Sequence, residues 1–314
     1  MKAIIVTEPG GVDNLKFHET DKPVPTPNEV LIEVAAISIN PVDVKTRKGG
    51  SLFDKMKTDI GVILGWDISG RIIAVGDNVT KFAPGDEVFG MVNFPGHGKA
   101  YAEYVAAPED HLAKKPATLS HQEAAAATLA LLTAWQVLVK EANLQRGQRV
   151  LIHAAAGGVG HFAIQVAKYL GAYVIGTASA ANGDFIKSLG ADEHIDYTRQ
   201  NFEEAVQGVD VILDPIGGEV TQRSLEILNP GGVLISIVGG VKDYLQSIIT
   251  EKGVRASNYL VHSSGEDMEQ LALLLEKGII RSFVSHQFTF DQLTAAHEQV
   301  ESSHTRGKVV VTMP

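Results

Sequence analysis

Apolar and polar positions change rhythm twice along this 314-residue chain. Up to about residue 115 the apolar positions come in short runs: Ala3–Val6, Val30–Ala36, Ile68–Val75, Glu87–Val92 and Ala102–Ala106. Turn residues separate them, as at Pro9-Gly10-Gly11, Gly76-Asp77-Asn78 and Pro84-Gly85-Asp86. This spacing predicts a β-rich segment. Pro23, Pro25 and Pro27 exclude the stretch around them from a sheet interior. The rhythm shifts at Ser120-His121-Gln122-Glu123, a capping-box signature ahead of an apolar run. One long helix is expected from there to about Lys140.

After Gly147 the pattern alternates. Strands are expected at Arg149–Ala154, Tyr173–Thr177, His194–Asp196, Val209–Asp214 and Val233–Ile237. Helices are expected at Gly158–Leu170, Asp184–Leu189, Phe202–Val206 and Gly218–Leu228. Such alternation predicts an α/β domain with a doubly wound parallel sheet covered on both faces. A further strand at Ser257–His262 would form one edge. The helical spacing of Glu266–Lys277, the run Phe283–Phe288, the helix Asp291–Val300 and the strand Gly307–Thr312 do not extend the alternation. They are expected to return to the first domain. The expected domains are 1–120, completed by 264–314, and 121–263.

The stretch Leu151-Ile152-His153-Ala154-Ala155-Ala156-Gly157-Gly158-Val159-Gly160 carries the first chemical signal. An apolar strand enters a turn of small residues, and a helix leaves it. Aligned to G-x-G-x-x-G, the key positions are Ala155, Gly157 and Gly160, with alanine in the first glycine's place. Backbone N–H groups of such a turn, Gly158 and Val159 included, can approach a diphosphate closely, and the helix's positive end favours its charge. A plain strand-to-helix turn is the other reading. An NAD-binding fold usually places an acid at the end of the second strand. Here that place reads Gly176-Thr177-Ala178-Ser179-Ala180-Ala181-Asn182, with no carboxylate before Asp184. Thr177, Ser179 and Asn182 would tolerate a 2′-phosphate that an acid would repel, so NADPH is favoured over NADH. The loop has no Arg or Lys. Lys187 and Arg199 are candidates to supply charge, with ordinary solvated cations as the alternative. Ile216, Val238 and Gly239 lie after the fourth and fifth strands, where ligands of doubly wound sheets bind. Each of those turns alone reads equally well as a plain turn.

Composition narrows the field. Hydrophobic residues make up 45%, enough for a sizeable core, and the net charge is −10. That charge argues against nucleic acid or an anionic membrane as main partner. Cysteine is absent, so disulfides and thiolate zinc ligands are excluded. The eleven histidines show no metal-like clustering. His153 reads as a packed core residue and His97 as loop surface. The N-terminal apolar run is too short for a signal-peptide core, and Ala124 to Val139 falls short of a membrane span. A soluble, cytoplasmic protein is expected.

Several segments together carry a family resemblance: the Ala154–Gly160 turn, Ser38-Ile39-Asn40-Pro41-Val42-Asp43, Val79–Val88, Ala102-Glu103-Tyr104, Leu189-Gly190-Ala191-Asp192 and Gly307-Lys308-Val309-Val310. The chain resembles a zinc-independent medium-chain dehydrogenase/reductase of the quinone oxidoreductase (zeta-crystallin-like) branch. Zinc-dependent relatives carry Gly-His-Glu where this chain has Gly65-Trp66-Asp67. The resemblance implies a GroES-like β domain, a Rossmann domain with six parallel strands and an active site in the cleft between them. It implies hydride transfer from NADPH to a quinone or to the C=C bond of an enone, and a homodimer joined through the edge strand. Asn40 would position nicotinamide ribose or substrate oxygen, and Thr133 would lie near the nicotinamide. Tyr197 would lie near the adenosine phosphate and Lys308 near the cofactor. Asp43 would fix the local loop at the substrate pocket, for which Trp66 and Phe94, with Phe53 and Tyr101, are candidate linings. Asn40 as a turn cap, Lys308 as a surface cation and the aromatics as core are the competing readings. Reduction of 2-enoyl thioesters and a non-catalytic NADPH-binding role are the alternative functions.

Overall fold

The computed structural model describes residues 1–314, the side chain of Ser51 excepted. The chain forms two compact units, Met1–Leu132 with His262–Pro314, and Thr133–Val261. In chain order the first part holds β1 (Lys2–Val6), β2 (Leu15–Glu19), β3 (Glu29–Ile39), α1 (Pro41–Arg47), α2 (Ser51–Met56), β4 (Val62–Ile63), β5 (Asp67–Val75), β6 (Glu87–Met91), β7 (Tyr104–Pro108), β8 (Leu112–Lys114) and α3 (His121–Ala126). Helix α4 (Leu129–Trp135) follows and widens into a π-helical turn at Gln136–Glu141. Next come β9 (Arg149–Ile152), α5 (Gly160–Tyr169), β10 (Tyr173–Ala178), α6 (Gly183–Ser188), β11 (Glu193–Asp196), α7 (Phe202–Ala205), β12 (Val209–Asp214), α8 (Glu219–Glu226), β13 (Leu228–Ser236), α9 (Gln246–Lys252) and β14 (Arg255–Asn258). The chain closes with α10 (Gly265–Glu276), β15 (Val284–Thr289), α11 (Leu293–Glu301) and β16 (Lys308–Thr312).

The first unit is built on a seven-stranded sheet in the order β15-β16-β3-β5-β6-β8, with β7 also paired to β3. Its long strand β3 is buried at most positions on both faces, so it reads as a nearly continuous apolar run. The last strand, β16, runs antiparallel to β3, with Val309 opposite Ile39 and Thr312 opposite Ala36. A smaller sheet, β2-β1-β4, completes the unit.

The second unit is a Rossmann-type layer structure. Six strands lie in the order β11-β10-β9-β12-β13-β14, and every pair is parallel. Chain direction reverses its march across the sheet between β9 and β12, the point where ligands of such folds bind. Leu151, Ile175, Ile212, Leu225 and Leu234 are fully buried in one apolar cluster. Strands covered on both faces lose their polar alternation. β9 and β12 accordingly read Arg-Val-Leu-Ile and Val-Asp-Val-Ile-Leu-Asp.

Most expected elements form within a few residues of their predicted bounds. The long helix from Ser120 does not. Its capping box is present, with Glu123 N–H donating to Ser120 Oγ at 3.2 Å and Ser120 N–H to Glu123 Oε2 at 2.9 Å. The helix then breaks at Ala127–Thr128. The Thr128 hydroxyl donates to the Ala125 carbonyl at 2.9 Å, and Leu129 N–H donates to Asp67 Oδ1 at 2.9 Å. Both backbone groups that would have continued the helix therefore have side-chain partners. The edge strand ends at Asn258, short of the expected His262. Helices α1, α2 and α9 and the short strands β2, β4 and β8 were not foreseen.

Candidate functional site

In the second unit, β9 runs into the small-residue turn. The backbone turns through Ala154, whose φ of 46° lies in the left-handed region. Ala155 N–H donates to the Thr177 carbonyl at 2.9 Å, which ties the turn to the end of β10. Gly160 opens α5. A Cβ there would collide with the Ala154 carbonyl and the Ala155 backbone, so only glycine lets helix and strand approach this closely. Alanine in the first motif position also has a reason. A Cβ on Gly176 would lie 2.9 Å from the Ala155 methyl, so the bare Gly176 makes room for Ala155. Gly157, Gly158 and Val159 are half-buried along this cradle.

Two further loops follow the neighbouring strands, and each is held by a side chain at its strand's end. Asp214 is buried and accepts from Ile216 N–H at 2.8 Å, Gly217 N–H at 2.9 Å and the Thr221 hydroxyl at 2.5 Å. Ser236 Oγ accepts from Gly240 N–H at 2.9 Å. These bonds leave Ile216 and Val238 exposed and Gly217 and Gly239 at positive φ. Glycine-lined loops above the strand ends fit a diphosphate-bridged dinucleotide.

Beyond β10, Ser179 and Asn182 join in a turn, with Asn182 Nδ2 donating to Ser179 Oγ at 3.2 Å. Thr177 points elsewhere: it is buried, and its hydroxyl lies 3.2 Å from His153 Nδ1. His153 Nε2 lies 2.9 Å from Ser224 Oγ, and burial pushes the imidazole pKa down to about 4. It is a core histidine. Tyr197 is exposed at the end of β11, as are Lys187 and Arg199. Arg199 pairs with Asp196 at 3.4 Å. His97 is exposed.

In the first unit, Asn40 is the N-cap of α1, with Pro41 at the first helical position and Asp43 closing a capping box. Asn40 N–H donates to Asp43 Oδ2 at 2.7 Å. Its side chain is buried between two charges: Nδ2 donates to Asp67 Oδ2 at 2.8 Å, and Oδ1 accepts from Lys308 Nζ. Lys308 is 2% exposed, which rules out a surface cation, and lies 3.8 Å from Asp67. Burial pushes the Lys308 pKa down, against the pull of Asp67 and Asp43. Burial likewise raises Asp67, opposed by Lys308, and pushes Asp43 up to about 7, opposed by the Asn40 N–H. Below them Tyr101 reaches His297 Nε2 at 2.9 Å, and buried Arg47 pairs with Glu301. Burial beside Arg47 lowers His297 to about 3.

Trp66, Phe53, Phe94 and Tyr101 are all buried. Trp66 donates to the Gly96 carbonyl at 2.7 Å and meets Phe94 edge-on, with centroids 5.1 Å apart. Thr133, in the second turn of α4, is 3% exposed. The structure thus gathers Asn40, Asp43 and Lys308 around Asp67, which the sequence marked only as the last residue of Gly65-Trp66-Asp67, in the place of the zinc-dependent relatives' Gly-His-Glu, with no role assigned to it.

The family model of the alcohol dehydrogenase GroES-like domain matches residues 26–117, and that of the zinc-binding dehydrogenases matches residues 189–311. The chain is 36% identical to 2-methylene-furan-3-one reductase of Solanum lycopersicum, over 99% of this chain and 79% of that protein. It is 34% identical to the chloroplastic NADPH-dependent alkenal/one oxidoreductase of Arabidopsis thaliana, over 99% of this chain and 79% of that protein. The structure of the quinone oxidoreductase from Coxiella burnetii matches with a TM-score of 0.94 at 38% identity, covering 100% of this chain and 99% of that one. The chain belongs to the medium-chain dehydrogenase/reductase family, in its quinone oxidoreductase branch of NAD(P)H-dependent oxidoreductases. One matching family model is named for zinc. With no cysteine in the chain, and no three His, Asp or Glu side chains grouped for a metal ion among the described residues, the donor set does not fit a thiolate zinc centre. No helix among the described residues is long and apolar enough to cross a membrane.

Proposed function

We propose that this protein is an NADPH-dependent reductase of quinones and of the C=C bond of α,β-unsaturated carbonyls. The observation that carries the nucleotide is the cradle at Ala155–Gly160, closed by glycine at the one place where a methyl group would block helix–strand contact. Gly157, Gly158, Val159 and Gly160 would hold the diphosphate, with Ile216, Val238 and Gly239 on the loops beside it. Ser179 and Asn182 offer a hydroxyl and an amide with no carboxylate among them, which suits a 2′-phosphate; Tyr197 stands exposed nearby in sequence. When bound, NADPH supplies a hydride equivalent.

The protein's own groups orient and polarise. Asn40 brings a carboxamide of fixed orientation, and Lys308 brings a buried positive charge beside it. Such preorganised dipoles stabilise charge developing on an enolate or quinol oxygen. Quinones and conjugated enones are already electrophilic, so orientation and modest hydrogen bonding suffice for them. A simple aldehyde would ask for a Lewis acid. Thr133 is assigned to the nicotinamide end of the site. The buried positions of Trp66 and Phe94 fit a role as the wall behind the pocket.

The proposal includes a cytoplasmic homodimer. Strand β14 is a sheet edge with Arg255, Ser257 and Asn258 exposed, which suits antiparallel pairing with a second copy. Light scattering should give twice the 33.6 kDa chain mass. The central test is NADPH oxidation followed with a quinone, an alkenone and an enoyl thioester, each repeated with NADH. Turnover with the first two and preference for NADPH are expected. Tight NADPH binding without turnover of any acceptor overturns the enzyme assignment; preference for NADH overturns the cofactor assignment.

A further inference from the structure

We propose that Asp67 is a positioning residue for the reductase: one buried carboxylate orients the Asn40 carboxamide and, through its other oxygen, anchors the start of the helix that carries Thr133. The consequence for turnover rests on the reductase reading above.

A primary amide has nearly the same shape in its two flipped orientations, and only its partners choose between them. Around Asn40 the choice is forced. A carboxylate only accepts, and Asp67 Oδ2 stands 2.8 Å from Nδ2. An ammonium only donates, and Lys308 Nζ is bonded to Oδ1. Donor and acceptor ends of Asn40 are therefore settled before any ligand arrives. Asp67 Oδ1 accepts at the same time from Leu129 N–H, the first backbone donor of α4, at 2.9 Å. Thr133 follows one turn later on that helix. Asp67 itself is fully buried, so solvent cannot take over either bond.

The Asn40 and Leu129 donors reach this side chain through different oxygens. Asparagine could satisfy only one of them, because its second terminal atom is an NH2. Asp67→Asn must therefore lose either the Asn40 contact or the α4 contact. Asp67→Glu keeps two acceptors on a longer stem. Asp67→Asn also leaves Lys308 without its buried counter-charge, which threatens folding. The double variant Asp67→Asn/Lys308→Gln removes both charges and permits both orientations of Asn40.

The test pairs kinetics with a readout that needs no activity. In wild-type protein the Asn40 side-chain amide, observed by 1H–15N NMR and assigned through Asn40→Asp, should show two distinct protons protected from exchange. In Asp67→Asn, or in the double variant if the single one does not fold, their exchange should accelerate at least tenfold. For these variants kcat should fall at least tenfold with NADPH affinity within twofold of wild type, and Asp67→Glu should recover part of the loss. Unchanged exchange at Asn40, or unchanged kcat well below the unfolding temperature, overturns the proposal. A wild-type protein inactive on every acceptor, whose Asn40 protection still collapses in the variants, sinks the reductase reading and leaves the positioning of Asn40 by Asp67 standing.

Discussion

Replacing Asp43 by asparagine should flatten the dependence of stability on pH. Asp43 is fully buried, with the Asn40 N–H on Oδ2 and the Tyr101 hydroxyl beside the carboxyl group. Burial raises its pKa from 3.8 to about 7. Each tenfold change in a proton equilibrium is worth about 1.4 kcal/mol, so, relative to the unfolded chain, folding favours the neutral acid over the carboxylate by about 4 kcal/mol. The sign follows from the raised folded value. The contribution to stability is complete below pH 3.8, declines as pH rises through about 7, and is constant above that. Asparagine keeps the acceptor for the Asn40 N–H and has no proton to lose. Asp67, Lys308 and Tyr101 share the network and respond to the same titration, so about 2–4 kcal/mol of relative gain is expected for Asp43→Asn between pH 4 and pH 8. Urea denaturation of both proteins at pH 4.5, 6 and 8 measures it. Only the difference is diagnostic, because buried His153 and His297 have lowered pKa values and weaken the wild-type fold as pH falls below about 6.5. Parallel stability profiles for the two proteins would refute the assignment of a buried acid with a raised pKa at position 43.

Gly160→Ala drives a methyl group into the Ala154 carbonyl; NADPH affinity by fluorescence titration should fall at least tenfold, and unchanged affinity would remove the cradle from the site. Gly176→Ala meets Ala155 and Ile186 at 2.9 Å and should cost about 1–3 kcal/mol of stability. Adding Ala155→Gly should recover much of it, and strict additivity of the two changes would show that they do not share space. His153→Leu removes a histidine that must stay neutral in the core, yet leaves the Thr177 and Ser224 hydroxyls facing an apolar group. Its stability should therefore be lower than wild type at pH 8 and closer to it at pH 5, read by thermal unfolding.

What the sequence disclosed depended on how far apart the interacting residues lie. The Ser120–Glu123 cap spans three residues and was legible. The six-strand alternation was legible because each strand buries itself and its own connection. Helix α1 could have been read from Asn40-Pro41-Val42-Asp43, a cap, a first-turn proline and a reciprocal acid, yet those residues suggested only a turn. Asp67 was legible only as the residue in the place of the zinc motif's glutamate; its role was not, because its partners Asn40 and Leu129 lie 27 and 62 positions away and nothing local marks a carboxylate that will be buried. The break at Thr128 was hidden for the same reason, since the group that interrupts the helix comes from β5. Lys308 looked ambiguous because a lysine opening a strand is ordinarily solvated. Only the Asn40–Asp67 environment makes its burial tolerable.

The position of β16 has a consequence for synthesis. The second unit, Thr133–Val261, is continuous in sequence and could collapse as soon as it leaves the ribosome. The first unit must wait. Its long strand β3 can pair with β5 and β7, but its Ala36–Ile39 end lacks the β16 neighbour until residues 308–312 are made, and the same few residues deliver Lys308 to Asn40 and Asp67. Until then the carboxylate and carboxamide lack the Lys308 ammonium. The order of the chain therefore keeps the Asn40–Asp67–Lys308 cluster unassembled until the second unit has had time to form.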